Sequence, residues 1–119
     1  MNGDGGKNRD FCYIQNALQA SLLAATTKNP AAVNQVYNVA IGDRTWLNNL
    51  YKLIAASLAR HCQLPSSKLR YRAFRAGDVR HSRAEICKAQ TLLGYAPTMK
   101  VGAGITAEMP WYVSTVGRK

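Results

Sequence analysis

The sequence predicts a mixed α/β fold with few short strands and about four helices. Three observations carry that expectation. Apolar residues recur at three- and four-residue spacing over 15–27 and again over 46–58, the pattern of amphipathic helices. Short β-rich runs at 11–14, 35–40 and 69–74 alternate with the helical stretches. Turn signals at Asn29-Pro30, Gly42-Asp43, Gly77-Asp78 and Gly94 separate them. Three short strands are few against the usual sheet of about five or six. The sheet is therefore expected to be completed from outside this chain.

Composition narrows the class. At 119 residues the chain allows one domain, and at 47% apolar it is not wholly disordered. Lys and Arg number 16 against 6 acidic residues, a formal net charge of +10 that favours phosphate, nucleic acid or anionic lipid. No apolar run approaches the roughly 18 residues of a membrane span. Met1 to Gly6 carries no hydrophobic signal region, so a cytoplasmic protein with no membrane partner is expected. Cys12, Cys62 and Cys87 are scattered without a C-x-x-C, so free thiols are expected and no metal site.

The elements follow in order. Residues 1–9 hold three glycines and read as an irregular loop. Phe11-Cys12-Tyr13-Ile14 has strand character. Gln15 to Thr27 reads as a helix with Ala17, Leu18, Leu22 and Ala25 on its inner stripe, ended by Asn29-Pro30. Gln35 to Ala40 alternates as a strand, and Thr45 is placed as the N-cap of the clearest helix. Trp46, Leu47, Leu50, Tyr51, Ile54 and Leu58 form that helix's apolar face. Leu64-Pro65-Ser66-Ser67 is a loop and Leu69 to Phe74 a strand. Ser82 and Glu85 fit a capping box before a helix that stops at Gly94. The last helix starts near Gly102, turns Ile105, Met109, Tyr112 and Val113 inward, and should break or kink at Pro110.

The segment Lys68 to Arg83 carries the most chemistry. Lys68, Arg70, Arg72, Arg75, Arg80 and Arg83 face a single acidic residue, Asp78. Arg75 falls at a strand end beside a glycine turn, where a guanidinium can grip phosphate and Asp78 can accept from a sugar hydroxyl. A solvated charged strand edge fits the same residues, and composition alone favours it. Tyr71 and Phe74 interleave with the arginines, which keeps a small basic nucleic-acid-binding domain as the alternative function. Arg9 follows a glycine-rich loop and either points into a cleft or pairs with Asp10 at the surface; the residues alone favour the surface pair.

Gly3-Asp4-Gly5 followed by Arg9-Asp10-Phe11-Cys12-Tyr13-Ile14 resembles the G-D-G-x-x-x-R-D-F-x-Y-[VI] stretch of extended short-chain dehydrogenases, the NAD-dependent sugar-nucleotide epimerases and dehydratases. The resemblance continues through Val36-Tyr37-Asn38-Val39-Ala40, Gly42-Asp43-Arg44-Thr45 and Leu47 to Tyr51. It resumes at Phe74-Arg75-Ala76-Gly77-Asp78 and at Leu92-Leu93-Gly94-Tyr95-Ala96-Pro97, and closes at Trp111-Tyr112. It covers nearly the whole chain, and the nearest group looks like bacterial UDP-N-acetylglucosamine 4-epimerases of surface-polysaccharide pathways. It implies that Arg9 and Arg75 hold the diphosphate of a UDP-sugar and that Asp78 binds the uridine ribose. Two guanidiniums on one diphosphate match charge well, at about 1.5–3 kcal/mol for each charge-assisted bond.

The departures define the rest of the expectation. A family member runs to roughly two or three times this length and binds NAD through a glycine-rich turn in its N-terminal half. It moves the hydroxyl proton with a Tyr-x-x-x-Lys pair. Neither motif is present here: no G-x-G-x-x-G occurs, and none of the six tyrosines has a lysine four residues on. Gln15, Trp46 and Asn49 also stand where other residue types are usual. The resemblance thus implies a single partial domain over 1–119, the UDP-sugar-binding C-terminal portion of an extended Rossmann-type fold, without its NAD-binding half. No catalytic, cofactor-binding or metal residue is assigned, and the chain is expected to be inactive alone. Its expected partners are a UDP-sugar and either a missing N-terminal half or an intact epimerase on which it docks. An exposed apolar patch is expected where that half would pack.

Overall fold

Four α-helices and a two-stranded antiparallel sheet make up the regular structure of the described residues, 1–63 and 69–116, of this computed structural model. Strand β1 (Asn8–Arg9) pairs with β2 (Thr45–Trp46), Asn8 opposite Trp46 and Arg9 opposite Thr45. The helices are α1 (Ile14–Thr26), α2 (Leu47–Leu58), α3 (Cys87–Leu93) and α4 (Val101–Val116). A 3-10 turn at Pro30–Ala32 follows α1, with the Asn29 side chain accepting from the Ala31 N–H. Helix α2 packs on α4, and α1 on α3. The expected mixed α/β class is the one observed. The expected loop at 64–67, and Lys68, lie outside the described residues. No described helix is long and apolar enough to cross a membrane.

The glycine-rich N-terminal segment, expected to be irregular, ties the molecule together. The Lys7 carbonyl accepts from the Leu47 N–H at 2.9 Å. On the other side, the Asn8 N–H donates to the Arg80 carbonyl at 3.1 Å and the Asn8 carbonyl accepts from the Ser82 N–H at 3.3 Å. Residues 7–9 therefore lie between 45–47 and 80–82. Further along, Asn2 bridges Arg72 in parallel, with the Gly3 N–H donating to the Arg72 carbonyl at 2.9 Å. Glycine is required at two points here. Gly3 has φ +81°, and a Cβ on it would meet the Phe74 ring at 2.5 Å; Gly5 has φ +72° and would meet Asn48 Oδ1 at 1.9 Å.

Several expected elements take another form. Phe11 to Tyr13 is irregular, because the strand forms earlier, at Asn8–Arg9, and the helix begins at Ile14. The run 35–39 forms no ladder, since no strand lies beside it among the described residues. Thr45 pairs within β2, so Trp46 is the N-cap of α2 and makes no side-chain cap bond. The strand expected over Leu69 to Phe74 shrinks to the single bridge at Arg72. The capping box does not form: the Ser82 N–H donates to the Asn8 carbonyl beside the His81 bridge, α3 starts at Cys87, and the Glu85 carboxylate accepts from the Cys87 N–H. Gly94 ends α3 as expected, with φ +68° and its N–H on the Gln90 carbonyl. Pro110 does not break α4, which runs through it while packed on α2.

The core is small and rich in alanine. Ala20, Ala40, Ile86, Ala89 and Tyr95 form its centre, with Leu23, Tyr37 and Ala84 packed against it. On α1 the buried face is Asn16 and Ala20, not the expected Leu18 and Leu22, which are 55% and 65% exposed. The small Ala20 and Ala89 let α1 and α3 approach closely, and Asn16 fixes the rotation. Its Oδ1 accepts from the Thr98 and Met99 N–H groups at 3.1 Å, and its Nδ2 donates to the Met99 carbonyl at 2.7 Å. The molecule is thin, 55 × 35 × 20 Å, with a radius of gyration of 17.4 Å; a compact domain of this length has about 13.5 Å. Its 8497 Å² of accessible surface also exceeds the about 6400 Å² of a compact monomer of this mass. The excess includes large apolar side chains on α1 (Ile14, Leu18, Leu22), α2 (Leu53, Ile54) and α4 (Trp111, Tyr112, Val116). An apolar surface of this extent was expected of the isolated chain.

Candidate functional site

Strand β1 and the turn at 75–78 build the candidate site. Lys7 and Arg9 flank Asn8, and alternation along an extended chain sends both side chains to one side. There they meet Asp78. Arg9 Nη2 lies 2.7 Å from Asp78 Oδ1, and Lys7 Nζ pairs with Asp78 Oδ2. Lys7 is almost fully buried, and its ammonium stands 5.3 Å from the centre of the Phe74 ring. Arg9 is anchored further by Nη1, which donates to the Asn8 carbonyl at 2.8 Å. The Asp78 N–H donates to the Arg75 carbonyl at 3.3 Å, closing a tight turn whose third residue, Gly77, has φ +74°. That turn sets Arg75 and Asp78 at its two ends.

The electrostatics follow from this geometry. Lys7's hydrogen bond holds the Asp78 carboxyl below the usual carboxylate range; partial desolvation opposes it, and Arg9 and Arg75 add to it. Three cations thus surround one carboxylate, leaving two positive charges in excess. Arg75 and Asp78 line a cleft of about 420 Å³ with Leu47, Leu50, Tyr51 and Ile54 of α2. An open guanidinium, a fixed carboxylate and an apolar wall suit a ligand with an anionic group and a planar or hydroxylated body.

Of the sequence-predicted residues, Arg9 and Asp78 are in contact and Arg75 shares the turn and the cleft with Asp78. The expected Arg9–Asp10 surface pair does not form. Asp10 instead accepts from the Ile41, Gly42 and Ala84 N–H groups at 3.0–3.3 Å, holding two distant loops together. Lys7 was missed. Only the parity of Lys7 with Arg9 could have pointed to it, and that signal needs a strand where the glycines indicated a loop.

Two arginines of the wider basic segment are engaged within the fold. Arg80 pairs with Asp4 at 3.2 Å, and Arg83 Nε donates to the Gly42 carbonyl at 2.8 Å. Tyr71 donates to Asn48 Oδ1, and Phe74 packs on Gly3 and Lys7. Both aromatics make contacts within the fold, although each remains more than half exposed. A larger groove of about 800 Å³ lies between α2, α4 and Phe11 to Tyr13. Its polar feature is the Tyr13 hydroxyl donating to Glu108 Oε1, which raises the Tyr13 pKa. Among the described residues no cation lines it, so an anionic ligand favours the smaller cleft.

The residues present do not fit a dinucleotide. A pyrophosphate cradle needs a strand, a glycine turn and a helix in succession. Gly102 and Gly104 lie inside the first turns of α4, and a Cβ on Gly104 would meet Tyr13 Cδ2 at 2.6 Å. That glycine admits the Tyr13 ring to the helix.

No family model matches the chain. A dTDP-L-rhamnose 4-epimerase from Burkholderia thailandensis is 28% identical over 116 residues, covering 98% of this chain and 30% of that enzyme. The UDP-glucose 4-epimerase of Thermotoga maritima, solved with UDP-glucose, superposes with a TM-score of 0.83 at 28% identity, covering 98% of this chain and 35% of that one. A mutant UDP-glucuronic acid 4-epimerase from Bacillus cereus, solved with a UDP-sugar analogue and NAD, superposes with a TM-score of 0.81 at 25% identity over 98% of this chain and 35% of that one. The chain spans about a third of the length of the curated relatives it matches. These relatives and neighbours are nucleotide-sugar 4-epimerases, and what this chain is similar to is a third of such an enzyme.

Proposed function

We propose that this chain is the nucleotide-sugar-binding part of an NAD-dependent UDP-sugar 4-epimerase and is inactive without the cofactor-binding part. Arg75 and Arg9 hold the diphosphate, and Asp78 accepts from the ribose hydroxyls. The observation that carries the reading is the turn at 75–78, which sets Arg75 and Asp78 on one cleft while Arg9 reaches the same carboxylate. Two excess positive charges answer the two charges of a diphosphate. The ligands bound to the Thermotoga and Bacillus enzymes support a UDP-sugar, and the NAD of the Bacillus complex supports that cofactor for the whole enzyme. Within the class, the motif resemblance favours UDP-N-acetylglucosamine.

In the whole enzyme NAD, held by the part absent here, would supply the redox chemistry at the sugar. The residues of this chain bind and orient: Arg75 and Arg9 fix the diphosphate and Asp78 fixes the nucleoside end, so the sugar is presented in one place. The test is titration calorimetry of the full chain with UDP. Saturable binding is expected, abolished in Arg75→Ala and retained in Arg70→Ala. A chain folded by circular dichroism that does not take up UDP refutes the reading, as do equal losses in the two variants. Steep salt dependence on a nucleic-acid duplex would favour the alternative instead.

A further inference from the structure

Lys7 is a buried charge that the proposed ligand contacts do not use. Its side chain is 3% exposed, its carboxylate partner is Asp78, and the Phe74 ring lies beside it. A charge this deep keeps its counter-ion, because separating them strands it in a poorly hydrated place. Asp78 therefore has little freedom to leave. One oxygen belongs to Lys7 from the buried side, and the other meets Arg9 from the open side. Arg9 in turn cannot swing away without giving up both that oxygen and the Asn8 carbonyl.

We propose that Lys7 is a positioning residue of the UDP-sugar site, pinning Asp78 from behind so that Arg9 and Asp78 stand preorganised before the nucleotide arrives. The inference rests on the functional reading above. Lys7 also sets the site's charge. Without it Asp78 would cancel Arg9, Arg75 alone would remain unmatched, and the match to a diphosphate would be halved. The charged groups around Asp78 are Lys7 and Arg9 from the β1 segment and Arg75 from its own turn. Arg80, next to the turn, is engaged by Asp4.

The test is UDP titration of wild type, Lys7→Met, Asp78→Asn and the double variant, each checked for fold by circular dichroism. Methionine keeps the length of the side chain and removes its charge. Lys7→Met is expected to bind UDP at least about tenfold more weakly, as the loss of one nearby charge implies. If Lys7 acts through Asp78, its effect is small in the Asp78→Asn background. Equal losses in both backgrounds overturn the proposal, as does wild-type affinity in a folded Lys7→Met. If Lys7→Met does not fold, carboxyl-carbon NMR of wild type decides. The Asp78 carboxyl must still titrate below the usual range when UDP is bound; a return to the ordinary range means the pair opens and refutes the role. Failure of wild type to bind UDP overturns the functional reading and this role together. Binding that ignores Lys7 overturns the role alone.

Discussion

Replacing Tyr95 with phenylalanine tests whether a single hydrogen bond organises the core. Tyr95 is 1% exposed, and its hydroxyl donates to the Ala40 carbonyl at 2.7 Å. Ala40 is itself buried, so the carbonyl has no route to water once the hydroxyl is gone. A net hydrogen bond is worth about 1 kcal/mol, but a buried acceptor left unpaired costs about 1–3 kcal/mol. Tyr95→Phe should therefore destabilise by about 2 kcal/mol, a drop in Tm of roughly 8 °C for a chain of this size. Tyr37→Phe is a second case: its hydroxyl donates at 2.7 Å to the carbonyl of Ala32, which is also buried, so a loss of similar size, about 1–3 kcal/mol, is expected there too. The assay is urea unfolding of both variants with the m-value held against wild type.

A pH series adds a second readout. Burial is the main cause that pushes the Tyr95 phenol up to about 12, whereas an unfolded tyrosine titrates near 10. Below pH 10 both states keep the proton and the contribution is constant. Above it the unfolded chain loses its proton first, so stability falls as pH rises toward 12. Tyr95→Phe should flatten that alkaline loss. A cost below about 0.5 kcal/mol at neutral pH, or an alkaline loss as steep as wild type, would refute the reasoning.

Two further outcomes follow from the same structure. Asn16→Leu should cost about 3 kcal/mol by unpairing the Thr98 and Met99 N–H groups and the Met99 carbonyl; Leu22→Ala on the outer face of α1 should stay within about 0.5 kcal/mol, and thermal unfolding compares them. Because Asp78's carboxyl is held low, its stabilising contribution is present above the ordinary aspartate pKa and fades as pH falls through the folded value. Asp78→Asn should accordingly be less stable at pH 7 and lose less on acidification, read by urea unfolding from pH 7 to 3.

The candidate site was more legible in the sequence than the sheet was. Arg9, Arg75 and Asp78 stand out because Gly77 marks a tight turn and the family pattern ties a distant Arg9 to it. Lys7 left no such trace, since its burial beside Phe74 and its pairing with Asp78 are made by tertiary contacts. The runs at 11–14 and 35–40 have strand composition without strand partners, and 69–74 keeps only the bridge from Arg72 to Asn2; β composition does not itself supply a neighbour. Asp10 read as a surface charge because the three N–H groups it accepts from lie 31 to 74 residues away.

What the sequence determined by itself is the local architecture. Helix α1 begins within a residue of its expected start, α2 covers the expected stretch, and Gly94 ends α3. Helical hydrogen bonds join residues four apart, so composition and caps within a short window decide them. Tertiary structure alone decided where a ladder forms, which face of α1 is buried, and what Asp78 pairs with. Each depends on groups brought together from far along the chain: 45–46 and 81 to Asn8, Met99 to Asn16, Lys7 to Asp78. The exposed leucines of α1 have the same cause, because a hydrophobic stripe shows that a face can be buried, while the surface that buries it comes from elsewhere.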